Sequence, residues 1–247
     1  MLLISMLDKI NIFRKAEPPV NRIVQTIPQI KTVNKYLGEI YTVSERNLFS
    51  PKNITTTLKN NLGKTLGSED FNMDEETGKA IGTMLLVNLE YRQKNFRFGE
   101  ILRLSSIMMM LENKIKEFEI FSKNTAVFFH NKYKFEPAIM TFSERNQALK
   151  MILENCKNKV EYEDIYKEAD KLLKRCTIET EASSQRDLCK ETNNLLKTYM
   201  KRITKKNDYK EHPFPNGMRM VLTDKNIQDN KEFFNDLFKK HEIDYKI

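Results

Sequence analysis

Tryptophan is absent from this chain of 247 residues, and cysteine and histidine occur only three times each. Glycine and proline number seven each, too few to punctuate the many turns of a β-sandwich or barrel. Cys156, Cys176 and Cys189 contain no C-x-x-C pair, which excludes a zinc ribbon or a thioredoxin-like motif. His130, His212 and His241 have no His or Cys three or four residues away, so no His/His or His/Cys pair of metal ligands shares a helix face. Long apolar runs are missing too. The longest uncharged one covers residues 104–111, against the ~20 that a membrane helix needs. Residues 2–7 are apolar but lack a basic n-region and a small-residue cleavage site, so no signal peptide is expected.

Catalytic motifs are equally scarce. Neither G-x-S-x-G nor H-E-x-x-H occurs. Gly63-Lys64-Thr65 imitates the end of a P-loop, but Leu58 stands where its first glycine belongs. Asp70, Asn72 and Asp74 imitate the start of a calcium loop, but Glu75 replaces the turn glycine and Ile81 the closing carboxylate. The expectation is a protein that is not an enzyme, with no cofactor, no metal and no membrane partner.

What is present points to helices. Hydrophobic residues make up 40% of the chain, enough for a core, and twelve of them are Met. The chain carries 31 Lys and 23 Asn, whose codons are A-rich, which suggests an AT-rich genome. The net charge of +8 is spread along the chain without a basic arm. Leu2, Leu3, Met6, Leu7, Ile10 and Phe13 recur at helical spacing before the Pro18-Pro19 break. Residues 1–19 are therefore predicted to be an apolar helical arm, docked on its own domain or exchanged with a neighbour. Residues 20–247 are predicted to be a single helical domain. The spacing predicts helices over 20–40, 51–62, 74–91 and 98–121, then from 143, 161 and 184, and again after Thr223. The fold class expected is all-α, with about eight to ten helices and one short strand or hairpin near 212–222.

Two further features are candidate sites. An odd cysteine count leaves at least one of Cys156, Cys176 and Cys189 outside any intrachain bridge; they read as buried thiols or as cross-links between molecules. Lys197, Lys201, Arg202, Lys205 and Lys206 form the most basic stretch. It reads as a basic helix end, a nuclear address or a phosphate-contacting face.

In size, helical character, Lys/Asn-rich composition, apolar arm and thiols, the chain resembles the occlusion-body proteins (polyhedrins) of nudiviruses. The resemblance implies a crystalline matrix around virions in the nucleus of an insect host. Its partners would be further copies of itself and the virion surface, held by exchanged arms and intermolecular disulfides. With 31 Lys and 9 Tyr, whose free pKa values are about 10.4 and 10, such a lattice would dissolve at alkaline pH. The alternative is a nuclear, nucleic-acid-associated helical protein using residues 197–206.

Overall fold

The computed structural model describes residues 29–92, 96–179 and 181–247. The predicted arm at Leu2, Leu3, Met6, Leu7, Ile10 and Phe13 lies outside the described residues. The fold is mixed α/β, not all-α, and the first half of the chain accounts for the difference.

Five strands follow one another as an antiparallel meander: β1 (Lys31–Asn34), β2 (Gly38–Arg46), β3 (Asn53–Asn60), β4 (Thr65–Asp74) and β5 (Lys79–Val87). Their burial alternates with the two-residue period of a pleated strand. In β3, Ile54, Thr56, Leu58 and Asn60 are buried while Thr55 faces solvent. Three consecutive threonines there favour a strand, since β-branched side chains fit a pleated surface. The predicted helices over 20–40, 51–62 and 74–91 are thus corrected to strands over their described residues, apart from the short α1 (Leu89–Arg92).

After α1, the chain forms α2 (Phe98–Glu112) and returns as β6 (Glu117–Ser122), parallel to β5. The predicted helix over 98–121 is therefore a helix and a strand. Phe98, Ile101, Leu104 and all of Ile107 to Met110 are buried, because α2 lies on the inner face of β3, β4 and β5 and is covered on its other side. Next come α3 (Ala126–Lys132) and the two-residue strand β7 (Glu136–Pro137).

Residues 138–217 then leave the sheet and form three long helices: α4 (Phe142–Cys156), α5 (Glu163–Ile178) and α6 (Ala182–Lys206). Thr141 and Glu144 make a reciprocal capping box at the start of α4. Ile165, Ala169, Leu172 and Cys176 of α5 recur on one buried face. The chain re-enters the sheet as β8 (Met218–Thr223), between β6 and β7, and ends in α7 (Asp224–Asp229) and α8 (Lys231–Lys240). The sheet order is β1-β2-β3-β4-β5-β6-β8-β7. Among the described residues no helix is long and apolar enough to cross a membrane.

Candidate functional site

One irregularity in the sheet creates a cleft. β5 and β6 pair in parallel only from Lys79↔Glu117 to Gly82↔Ile120. Beyond Gly82, β5 runs on to Val87 with a strand on one side only, β4. Gly82 faces Phe71 and Met84 faces Asp70, so Thr83 is an extra residue in β5. A bulge of this kind bends its strand and increases its twist, and here it turns β5 away from β6. Thr83 Oγ1 fixes the bend by donating to the Asp70 carbonyl at 3.1 Å. At the point of parting the strands lie close: a Cβ on Gly82 would stand 2.9 Å from Ile120 Cγ2.

The wedge between the strands is filled by charge. Glu69 of β4 and Arg103 of α2 are each 1% exposed, with Nη1 2.8 Å from Oε1. That N–H points off the line to the oxygen, so the contact is ionic rather than an aligned hydrogen bond. Ser106 donates to the other Glu69 oxygen. The guanidinium lies 5.2 and 5.0 Å from the ring centroids of Phe118 and Phe135, favourable cation–π distances. Burial raises the Glu69 carboxyl pKa, and the Arg103 charge opposes that rise. His130 of α3 sits 3.4 Å from Arg103 Nη2 through Nδ1. Burial, and then the charge of Arg103, pushes the imidazole down to about 2, so it is neutral at physiological pH. A cavity of about 50 Å³ remains among Glu69, Gly82, Leu85, Arg103, Ile120 and His130.

Toward the end of β5 the cleft meets two other elements. The ring of Phe129 from α3, Leu85 and Val87 all come within 4 Å of the point where a Gly99 Cβ would stand. The N-terminus of α2 lies here without a side-chain cap, after Arg97 in the left-handed conformation. Such a terminus presents free N–H groups and favours an anion. Phe129 also belongs to the wall of a much larger groove, of about 1080 Å³. Six lysines line it: Lys132 and Lys134, Lys197, Lys201 and Lys205 of α6, and Lys210. Phe128, Tyr209 and Phe233 supply aromatic walls. Lys132 is paired with Glu100 at 3.2 Å and Lys197 with Glu136 at 2.6 Å. Among the described residues, Lys134, Lys201, Lys205 and Lys210 have no carboxylate within 4 Å, so the groove carries uncompensated positive charge.

Glu100 of α2 holds one wall together. It is 3% exposed and accepts from Lys240 and His241 Nε2, each at 2.5 Å, and from the Tyr133 hydroxyl. Burial alone would raise its pKa, but these hydrogen bonds hold the carboxyl well below the usual range. The third histidine, His212, accepts or donates at Nδ1 with the buried Tyr199 hydroxyl at 2.7 Å.

The basic stretch foreseen in the sequence is divided by the structure. Lys197, Lys201 and Lys205 face the groove, whereas Arg202 makes a two-pronged pair with Asp164 at 2.5 and 2.7 Å and Lys206 lies 3.8 Å from Glu161. Cys156, Cys176 and Cys189 are free thiols within α4, α5 and α6, exposed by 1%, 3% and 8%. No group of three or more His, Cys, Asp or Glu side chains among the described residues is arranged to hold a metal. The bulge, the wedge and the Lys132–Lys134 wall were not foreseen. A hidden signal for the wedge was Glu69, a charged residue at an inward position of a strand.

Among solved structures, similar chains include a GNAT-family acetyltransferase from Staphylococcus aureus Mu50, 18% identical over 38% of this chain and 59% of that one, with a TM-score of 0.33. Tetrahymena GCN5 is 17% identical over 38% of this chain and 57% of its own, with a TM-score of 0.34. A GNAT-family acetyltransferase from Elizabethkingia anophelis, solved with acetyl-CoA bound, is 17% identical over 36% and 57%, with a TM-score of 0.32. This chain therefore spans less than two thirds of each. No protein-family model matches the sequence, and no curated protein does. The eight-stranded sheet removes the helical character on which the occlusion-body resemblance stood. The expected helical matrix protein and its helical nucleic-acid-associated alternative are corrected by that sheet, and the non-enzymatic expectation tied to the same reading is corrected with them.

Proposed function

We propose that this protein is an acyl-CoA-dependent acyltransferase that acylates an amine. The observation that carries the reading is the one-sided edge of β5 with the uncapped α2 N-terminus beside it and, on the far side of the Phe129 ring, the lysine groove. Coenzyme A has the matching anatomy: a thin amide-bearing pantetheine arm joined to a polyphosphate nucleotide. Backbone groups of residues 83–86 that point away from β4 hydrogen-bond the arm as a strand would. The pyrophosphate lies at the α2 N-terminus, and Lys201 and Lys205 face the remaining phosphate. Phe129 turns aside to admit the arm.

The transfer needs little from side chains. The neutral amine attacks the thioester carbonyl, forming the N–C bond of a tetrahedral intermediate that then collapses with cleavage of the C–S bond. The ammonium proton passes to the departing thiolate, and a β5 backbone N–H stabilises the intermediate oxyanion. Glu69 is engaged by Arg103 and Ser106, and burial beside the Arg103 charge leaves His130 too weakly basic to take the proton, so neither acts as the base.

The test is a thermal-shift titration with acetyl-CoA, followed by thiol-release assays with polyamines and lysine peptides. Acetyl-CoA is expected to raise Tm, and the double variant Lys201→Glu/Lys205→Glu to weaken binding about tenfold or more, roughly 1.4 kcal/mol. No shift at millimolar acetyl-CoA, together with no thiol release, would sink the reading.

A further inference from the structure

A second cavity, of about 570 Å³, opens among α4, α5 and α6, away from the cleft and the lysine groove. Its lining includes Arg145, which is 0% exposed. A buried guanidinium is normally matched by a carboxylate, because an unpaired charge in the interior is costly. Among the described residues none lies within 4 Å of Arg145. Nη1 donates to the Gln185 amide oxygen at 2.6 Å, Nη2 reaches Asn146 only at 3.4 Å, and Nε has no partner. The second cation of the cavity is Arg186, and its one carboxylate, Glu179, is already held by Arg175 at 2.8 Å.

Apart from Thr177, the remaining walls are apolar. Phe142, 56% exposed, lays its ring 4.7 Å from the Arg145 guanidinium, and Met140 beside it is 67% exposed. Cys176 and Cys189 close the inner end. We propose that this cavity binds a small amphiphilic carboxylate. Its head pairs with Arg145 at Nε and with Arg186, and its apolar tail covers Phe142 and Met140. The exposed Phe142 ring swings outward to admit the head. The site is built wholly from the helices of residues 138–217 and stands independently of acyl transfer.

The two thiols give a readout that needs no substitution. Octanoate is used as the probe, with octanol as its uncharged counterpart. Iodoacetamide labelling is followed residue by residue by mass spectrometry. At about ten times its Kd, octanoate is expected to slow labelling of Cys176 and Cys189 roughly tenfold while leaving Cys156 unchanged. Octanol should not protect. Arg186→Glu, a change at an exposed position, should abolish the protection with no loss of fold. Equal protection by octanol, or none by millimolar octanoate, would overturn the proposal, and Arg186→Glu without effect would remove the head-group assignment.

Discussion

His130 illustrates how one residue's surroundings set a property of the whole chain. In the unfolded chain its imidazole takes a proton near the ordinary value of about 6.5. In the fold, burial and Arg103 keep it neutral down to about 2. The unfolded state therefore binds one more proton than the native state throughout that window. Stability is complete above about pH 6.5 and falls as the pH drops, by up to about 1.4 kcal/mol per unit for this one group. His212, also lowered mainly by burial, adds in the same direction. Urea unfolding between pH 7 and 5 should show the decline, and His130→Gln should flatten the slope by about one proton. Identical slopes for the two proteins would show that His130 is not held neutral. The Glu69–Arg103 pair beside it is fixed in another way. Removal of either partner alone strands the other charge in the core, a loss of about 3–5 kcal/mol for such pairs.

At the level of elements, the decisive one is the bulged strand β5. Its neighbour β6 passes so close to Gly82 that Gly82→Val should force the strands apart, at a cost of about 1–3 kcal/mol. Chemical denaturation reads that cost, and hydrogen exchange should place the loosening at residues 79–82 and 117–120. A substitution with no effect would mean that the strands part earlier than Gly82. Much of the helical half was legible in the sequence. The α5 face and the strand at β8 carry strong local signals, while the start of α4 was read at Ser143, two residues past its Thr141 cap. The strands of the first half were hidden because their inward positions are so often polar or small. Thr56, Asn60 and Glu69 are buried, so apolar residues alone do not show the two-residue period. Ile81, Met84 and Leu86, by contrast, are apolar yet exposed, which lent β5 the look of a helix face. The candidate site was legible only in part. The spacing of Lys197, Lys201 and Lys205 was plain, but their partners Lys132, Lys134 and Lys210 come from other parts of the chain, and only the tertiary fold assembles them.

On the scale of the whole molecule, the +8 charge is not an evenly mixed surface: a share of it gathers, without counter-charges, in one aromatic-walled groove. Exposed charges of this kind are screened over about 8 Å at physiological ionic strength. Acetyl-CoA affinity should therefore fall severalfold between about 50 and 300 mM salt, whereas octanoate protection in the helical cavity, built on the buried Arg145, should change far less. Isothermal titration at three salt concentrations measures the first. A salt-independent affinity would place the polyphosphate elsewhere.

β7 and β8 are neighbours in the sheet although residues 138–217 separate them. The three helices of that excursion rest on local contacts and can assemble early. The strand pair must wait for its distant ends to meet, the slow kind of step in folding. The lysine groove has one wall on each side of this divide: α3 precedes the excursion and α6 lies inside it. It comes into being only when the sheet has closed. A polyanion in the groove would act as a clasp across the last seam of the molecule, gripping only chains that have finished folding and slowing their reopening.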